Sequence, residues 1–171
     1  MSFDELEVWT GRLDRFDWKI VGKQEIYIPY NSNRFLQPKK DTEVLIPGQH
    51  HVASDKVRWE LHRVWVVEAT LKPGKRHIYH KRTFYIDEDS WVAVMSDEYD
   101  ARGQLYRGVM APTAFAYDQK AMGINLQIGY DLIAGLWSSQ GNCGLYYGIK
   151  YRDAFPSRDW QPDALAGAGI R

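Results

Sequence analysis

The sequence predicts a mainly β protein, built as an antiparallel meander that forms a curved sheet or incomplete β-barrel with few short helices. Three observations carry this. Aromatic residues make up 14% of the 171 residues, with 7 Trp and 11 Tyr, and flat bulky side chains pack well on a pleated surface. Stretches rich in aromatic and β-branched residues recur, while helical periodicity is poor throughout. The connections between them are too short for the crossovers of a dozen or more residues that parallel strands need.

Phe16 to Tyr30 is the first strand signal, with Pro29 near its end. Val57 to Leu71 is the second, carrying Trp59, Leu61, Val64, Trp65, Val66 and Val67. Lys75 to Asp87, Ser90 to Asp100 and Gln104 to Tyr117 follow, with weaker candidates at Ile124 to Gly129, Asp131 to Trp137 and Gly144 to Tyr151. Pro73-Gly74, Glu88-Asp89 and Asp100-Ala101-Arg102-Gly103 are the turns, the last suiting a hairpin with a bulge. Gln37 to Lys56 and the tail from Asp153 read as loops. Pro162-Asp163-Ala164-Leu165 opens a short final helix, because proline suits the first helical position.

Two-residue loops at Pro73-Gly74 and Glu88-Asp89 set a register. Trp65 then lies opposite Arg82 and Val67 opposite His80. Ile86 lies opposite Trp91, Phe84 opposite Ala93 and Arg82 opposite Met95. A bulge at Gly103 puts Asp97 opposite Arg107. Side chains alternate faces along a strand. One face therefore collects Trp65, Phe84, Trp91 and Met95 together with a polar seam of Arg63, His80, Arg82, Asp97 and Arg107. The other collects Glu68, Tyr79, Lys81, Thr83, Tyr85, Ser96 and Glu98. Three arginines against one carboxylate leave positive charge to grip an acidic head group, while the aromatics hold its tail. The alternative is a structural ion-pair network, since buried charges must be paired.

Length suits one domain spanning residues 1–171. The 22 basic and 22 acidic residues cancel, which leaves no electrostatic footprint for nucleic acid and no polybasic membrane anchor. The longest apolar runs fall short of a membrane-spanning helix. The start, Met1-Ser2-Phe3-Asp4-Glu5, is acidic and lacks the apolar stretch of a signal peptide, so the chain is either cytoplasmic or a piece of a longer one. Cys143, the single cysteine, reads as a small buried hydrophobe.

Catalytic, metal and cofactor signatures are not expected. His77 and His80, three apart on a regular strand, point to opposite faces, and His50-His51 has no evident third ligand. Asp87-Glu88-Asp89 and Asp97-Glu98-Asp100 lack the glycine and terminal glutamate of an EF-hand loop. Phosphate-loop glycine spacing and a Gly-x-Ser-x-Gly elbow are missing.

The run RWELHRVWVVEATLKPGKRHIYHKRTFYIDEDSW, from Arg58 to Trp91, carries a resemblance. RFDWKIVGKQEIYIPYN (Arg15 to Asn31) and EYDARGQLYR (Glu98 to Arg107) flank it. Together they resemble the C-terminal part of a bacterial family of unknown function often labelled as outer-membrane lipoprotein-sorting proteins. The resemblance implies a longer secreted precursor, a periplasmic or outer-membrane location, and an incomplete barrel like that of the periplasmic lipoprotein carrier. It also implies a lipid-like hydrophobic or amphipathic ligand and work alongside an envelope transporter. The expectation is thus a non-catalytic carrier domain; the alternative is an adaptor domain that docks on a transporter without a ligand.

Overall fold

The structure, a computed structural model, describes residues 3–36, 50–124, 126–141 and 153–168. Among these residues nine strands are laid down in chain order: β1 Phe16–Pro29, β2 Trp59–Leu71, β3 Lys81–Asp87, β4 Ala93–Tyr99, β5 Leu105–Met110, β6 Thr113–Ala116, β7 Ala121–Ile124, β8 Gln127–Asp131 and β9 Leu136–Gln140. Seven form one antiparallel sheet in the order β1-β2-β3-β4-β5-β8-β9, and β6-β7 form a separate hairpin. The large sheet does not close into a barrel. Among the described residues a short helix, α1 (Pro162–Ala168), begins at the expected proline. The Gly144 to Tyr151 strand and Cys143 lie outside the described residues, as does most of the first loop.

The meander from β2 to β5 follows the local turn chemistry. Gly74 and Gly103 adopt φ of +78° and +75°, conformations glycine reaches without steric cost. At the β4–β5 turn the Asp100 carboxylate accepts the N–H groups of Arg102 and Gln104 at 2.8 and 3.0 Å, and the register shift lies at Glu98/Tyr99 in the ladder rather than at Gly103, the expected bulge. β5 ends before Ala111-Pro112. Proline cannot donate to a ladder, so the chain leaves the sheet there, makes the β6–β7 hairpin, and returns as β8 beside β5. Gln104 to Tyr117 is therefore two strands in two sheets, not one.

The observed register differs from the expected one, and the loops explain why. The β2–β3 connection runs from Lys72 to His80, with Leu71 N–H donating to His80 O at 2.8 Å, so Lys75 to His80 is not strand. Trp65 lies opposite Ile86 and Val67 opposite Phe84. That is a shift of four residues, and an even shift keeps every side chain on its expected face. The β3–β4 connection is five residues, Glu88 to Val92, closed by Trp91 N–H to Asp87 O at 2.9 Å. Arg82 now lies opposite Glu98 and Phe84 opposite Ser96. This shift of three is odd, so β4 is inverted relative to expectation. A bulge where Tyr85/Ile86 meets β4 accommodates it.

The sheet thus has a first face carrying Phe16, Trp18, Ile20, Trp65, Val67, Ala69, Arg82, Phe84, Ile86, Ser96, Glu98, Arg107 and Val109. Its second face carries Ile28, Val64, Val66, Tyr85, Met95, Met110 and Ile128. Residues 3–9 fold back over the first face. Val8 and Trp9 pack with Phe16, Ala69, Phe84, Val109 and Ala111 there. On the second face one cluster gathers Ile28, Tyr30, Val64, Val66 and Val94, and another gathers Val52, Val57, Met110, Leu126 and Ile128. Among the described residues no helix is long and apolar enough to cross a membrane.

Candidate functional site

Two features share the first face: an apolar trough and a buried ion network. Ile20, Trp65, Val67, Ile86 and Trp91 line the trough, which holds about 280 Å³. Three adjacent strands supply its floor. The β3–β4 turn supplies Trp91, which sits at φ +60°. Trp91 and Ile20 are 71% and 68% exposed, so the trough is open to solvent. At its end the Lys23 ammonium lies 4.3 Å from the centre of the Trp65 ring and 2.6 Å from Glu88, and Arg63 reaches the same carboxylate at 2.6 Å. Exposed pairs of this kind contribute little to stability.

The ion network lies where residues 3–9 cross the sheet. Arg82 is completely buried. Its guanidinium donates to Glu98 at 2.7 Å, to Val8 O at 3.1 Å and to Asp4 at 3.4 Å. It also lies 4.8, 5.0 and 5.3 Å from the rings of Trp9, Phe84 and Tyr79, within cation–π range. Asp4 is 2.9 Å from His77 Nε2. Tyr79 donates its hydroxyl to Glu5 and accepts from Arg107 at 3.0 Å, and Arg107 pairs with Asp131 at 3.3 Å. Gln127 fastens the overlying segment by donating to Glu5 O at 2.6 Å. Burial pushes the Glu98 carboxyl up to about 7 and nearby Glu5 adds to the rise, against the pull of Arg82 and the Ser96 hydroxyl.

The expected site residues divide three ways. Arg63, Trp65 and Trp91 stand at the trough. Arg82, Phe84 and Arg107 belong to the covered part of the first face, with Phe84 stacked on Trp18 at 5.7 Å. His80, Met95 and Asp97 do not join them. His80 is exposed in the β2–β3 connection, its N–H held by Tyr99 O. Met95 and Asp97 project from the second face because β4 is inverted, and Asp97 accepts the Tyr85 hydroxyl there at 2.8 Å. Tyr79, Ser96 and Glu98, expected on the wetter face, lie in the buried network instead. The expected surplus of arginine is not present: Asp4, Glu5, Glu98 and Asp131 all face Arg82 or Arg107. Asp4 and Glu5 escaped the sequence reading because nothing in Phe3-Asp4-Glu5 signals a segment folded back across a distant sheet.

On the second face, His62 Nδ1 lies 2.9 Å from Asp87 Oδ1 and 3.7 Å from Asp89. Burial acts to raise Asp87, but the Ser90 hydroxyl and N–H, at 2.6 and 2.8 Å, and His62 outweigh it and hold this carboxyl below its ordinary value. The four-residue shift in the β2–β3 register brings His62 to this turn.

The sequence of this chain matches a known family over most of its length. The chain belongs to the family described as "Protein of unknown function (DUF1329)", which matches residues 1–166. It is 44% identical over 172 residues to an uncharacterized protein of Pseudomonas aeruginosa, covering 98% of this chain and 37% of that one. Among solved structures it is similar to a domain assigned to outer membrane lipoprotein sorting from Vibrio parahaemolyticus, with a TM-score of 0.47 and 11% identity over 92% of this chain and 51% of that one. A DUF1329 family protein from Desulfovibrio piger gives 0.44 and 14% over 89% and 48%. A LolA superfamily protein from Nitrosomonas europaea gives 0.43 and 14% over 88% and 51%. The chain thus spans about a third of the Pseudomonas relative and about half of each solved chain.

Proposed function

We propose that this chain is the ligand-binding β domain of a longer envelope carrier, periplasmic or outer-membrane associated, that holds a lipid-like hydrophobic or amphipathic molecule without catalysing a reaction on it. The observation that supports this reading is the trough of Ile20, Trp65, Val67, Ile86 and Trp91, an apolar surface left open to water. Apolar patches on a soluble surface mark a ligand or a partner. The mechanism is passive. The ligand's apolar part displaces water from the trough, and Arg63 and Lys23, with Glu88 between them, meet its polar end. Release follows when docking on an envelope transporter offers a competing surface. Arg82, Phe84 and Arg107 act in this reading as the structural floor beside the trough.

A second reading is favoured by the exposure of Ile20 and Trp91. Side chains standing so far out of the surface suit a docking patch as well as a lipid site, and the domain then serves as an adaptor on a transporter. Native mass spectrometry of protein purified from a lipid-containing host separates the two. A co-purified hydrophobic molecule that is lost in Trp65→Ala supports the carrier. Ligand-free protein that also fails to bind a fluorescent fatty acid leaves the adaptor.

A further inference from the structure

The β3–β4 turn brings together three donors that sequence spacing keeps apart. Asp87 ends β3, Asp89 stands two residues further along the turn, and His62 comes from β2, where Val64 is the partner of Asp87. One donor atom from each lies within 4.8 Å of the other two. We propose that His62 Nδ1, Asp87 Oδ1 and Asp89 Oδ2 bind a divalent transition-metal ion of the zinc class.

The geometry is close to what such an ion requires. Zinc bonds of about 2.0–2.1 Å in a tetrahedron place neighbouring donors about 3.3 Å apart. The observed His62–Asp87 and His62–Asp89 separations of 2.9 and 3.7 Å bracket that value, and the longer one belongs to Asp89, whose side chain is 73% exposed. One imidazole nitrogen with two carboxylate oxygens is a donor set that suits borderline ions rather than soft ones.

The surroundings hold the donors as metal ligands are commonly held. Ser90 binds Asp87 Oδ2 through both its hydroxyl and its N–H, which fixes the carboxylate and leaves Oδ1 facing His62. Glu60 lies 3.6 Å from His62 Nε2, placed to orient the far side of the ring. A carboxylate behind a ligating histidine fixes its tautomer and raises its basicity. The Tyr30 ring packs against the imidazole, 4.2 Å between centres. Asp87 is fully buried and Asp89 faces water, so an ion enters from the Asp89 side with a solvent position left as its fourth ligand. Such an ion pins the turn that carries Trp91 to β2.

The test titrates zinc chloride alone into the metal-free protein by calorimetry in a non-chelating buffer, with hydrogen exchange at residues 88–92. One equivalent should bind, slowing exchange across the turn. Asp89→Asn and His62→Gln should each weaken binding at least about tenfold, in line with the cost of disturbing a metal's ligand shell, and His50→Ala/His51→Ala should leave it unchanged. Asp89→Asn keeps the test decisive even where His62→Gln disturbs packing, because the Asp89 side chain is exposed. Absence of binding by the wild type, unchanged affinity in Asp89→Asn, or loss confined to the His50/His51 variant overturns the site.

Discussion

Replacing Arg82 by methionine separates the structural account of the ion network from a ligand-binding one. Methionine preserves the aliphatic stem but removes the guanidinium from Glu98, Val8 O and Asp4. Arg82 and Glu98 are both fully shielded from solvent, so the change strands a buried carboxylate, which costs about 3–5 kcal/mol. The cost depends on pH. Glu98 titrates near 7 with Arg82 present, so at pH 5 it is largely protonated in both proteins and the arginine has less to neutralise. The penalty at pH 5 should be smaller than at pH 8 by roughly 1–3 kcal/mol, since a pKa unit is worth about 1.4 kcal/mol. Arg82→Met/Glu98→Leu should recover much of the loss, because apolar pairs substitute well for buried ion pairs. Urea unfolding of the four proteins at both pH values reads all of this, and the coupling between the two sites should exceed about 1 kcal/mol. Additive effects, or a single-mutant loss below about 1 kcal/mol, refute the reasoning. A fluorescent fatty-acid titration on Arg82→Met at a temperature where it stays folded should show affinity close to wild type; a large loss there moves Arg82 from floor to ligand site.

Further outcomes follow from the same geometry. Glu98 titrates above its ordinary range, so its contribution to stability is complete below about pH 4.5 and is lost as pH rises through about 7; this is on the order of 3 kcal/mol. Glu98→Gln should flatten that part of a stability–pH curve measured by urea unfolding. Trp65→Ala should weaken fluorescent fatty-acid binding at least about fivefold, the equivalent of ~1 kcal/mol for one aromatic contact. Trp91→Ala, at an exposed position, should weaken binding while leaving the melting temperature nearly unchanged. Asp87→Asn should lower stability by about 1–3 kcal/mol, because it disturbs buried hydrogen bonds to Ser90 and His62; a melting curve within error of wild type counts against the turn as built.

How much of the candidate site could be read in advance depended on parity. Trp65 and Phe84 were placed on one face correctly although their partners were misjudged, since a four-residue slip between β2 and β3 leaves alternation intact. Met95 and Asp97 were misplaced because the β3–β4 turn is five residues with a bulge beside it, and Glu88-Asp89 gives no sign of that length. Arg107 kept its face because the opposite partner moved from Asp97 to Glu98 by one residue, cancelling the inversion of β4. The metal-donor trio was invisible for the same reason: His62 meets Asp87 only in the observed register.

What the sequence by itself determined is the antiparallel order from β2 to β5 and roughly where it turns, but not the length of the turns. These follow from local causes: alternation along strands and glycine at positive φ in the turns. What only the tertiary structure decided is which charges meet. Residues 3–9 lie across the first face and bring Asp4 and Glu5 to arginines about 75 to 100 positions away. Gln127 holds that segment from 122 residues away. Such contacts leave no periodic trace in either partner, because each depends on the summed register of every strand between them. One residue more in a single turn exchanges the arginine of a buried network for the arginine of an open site.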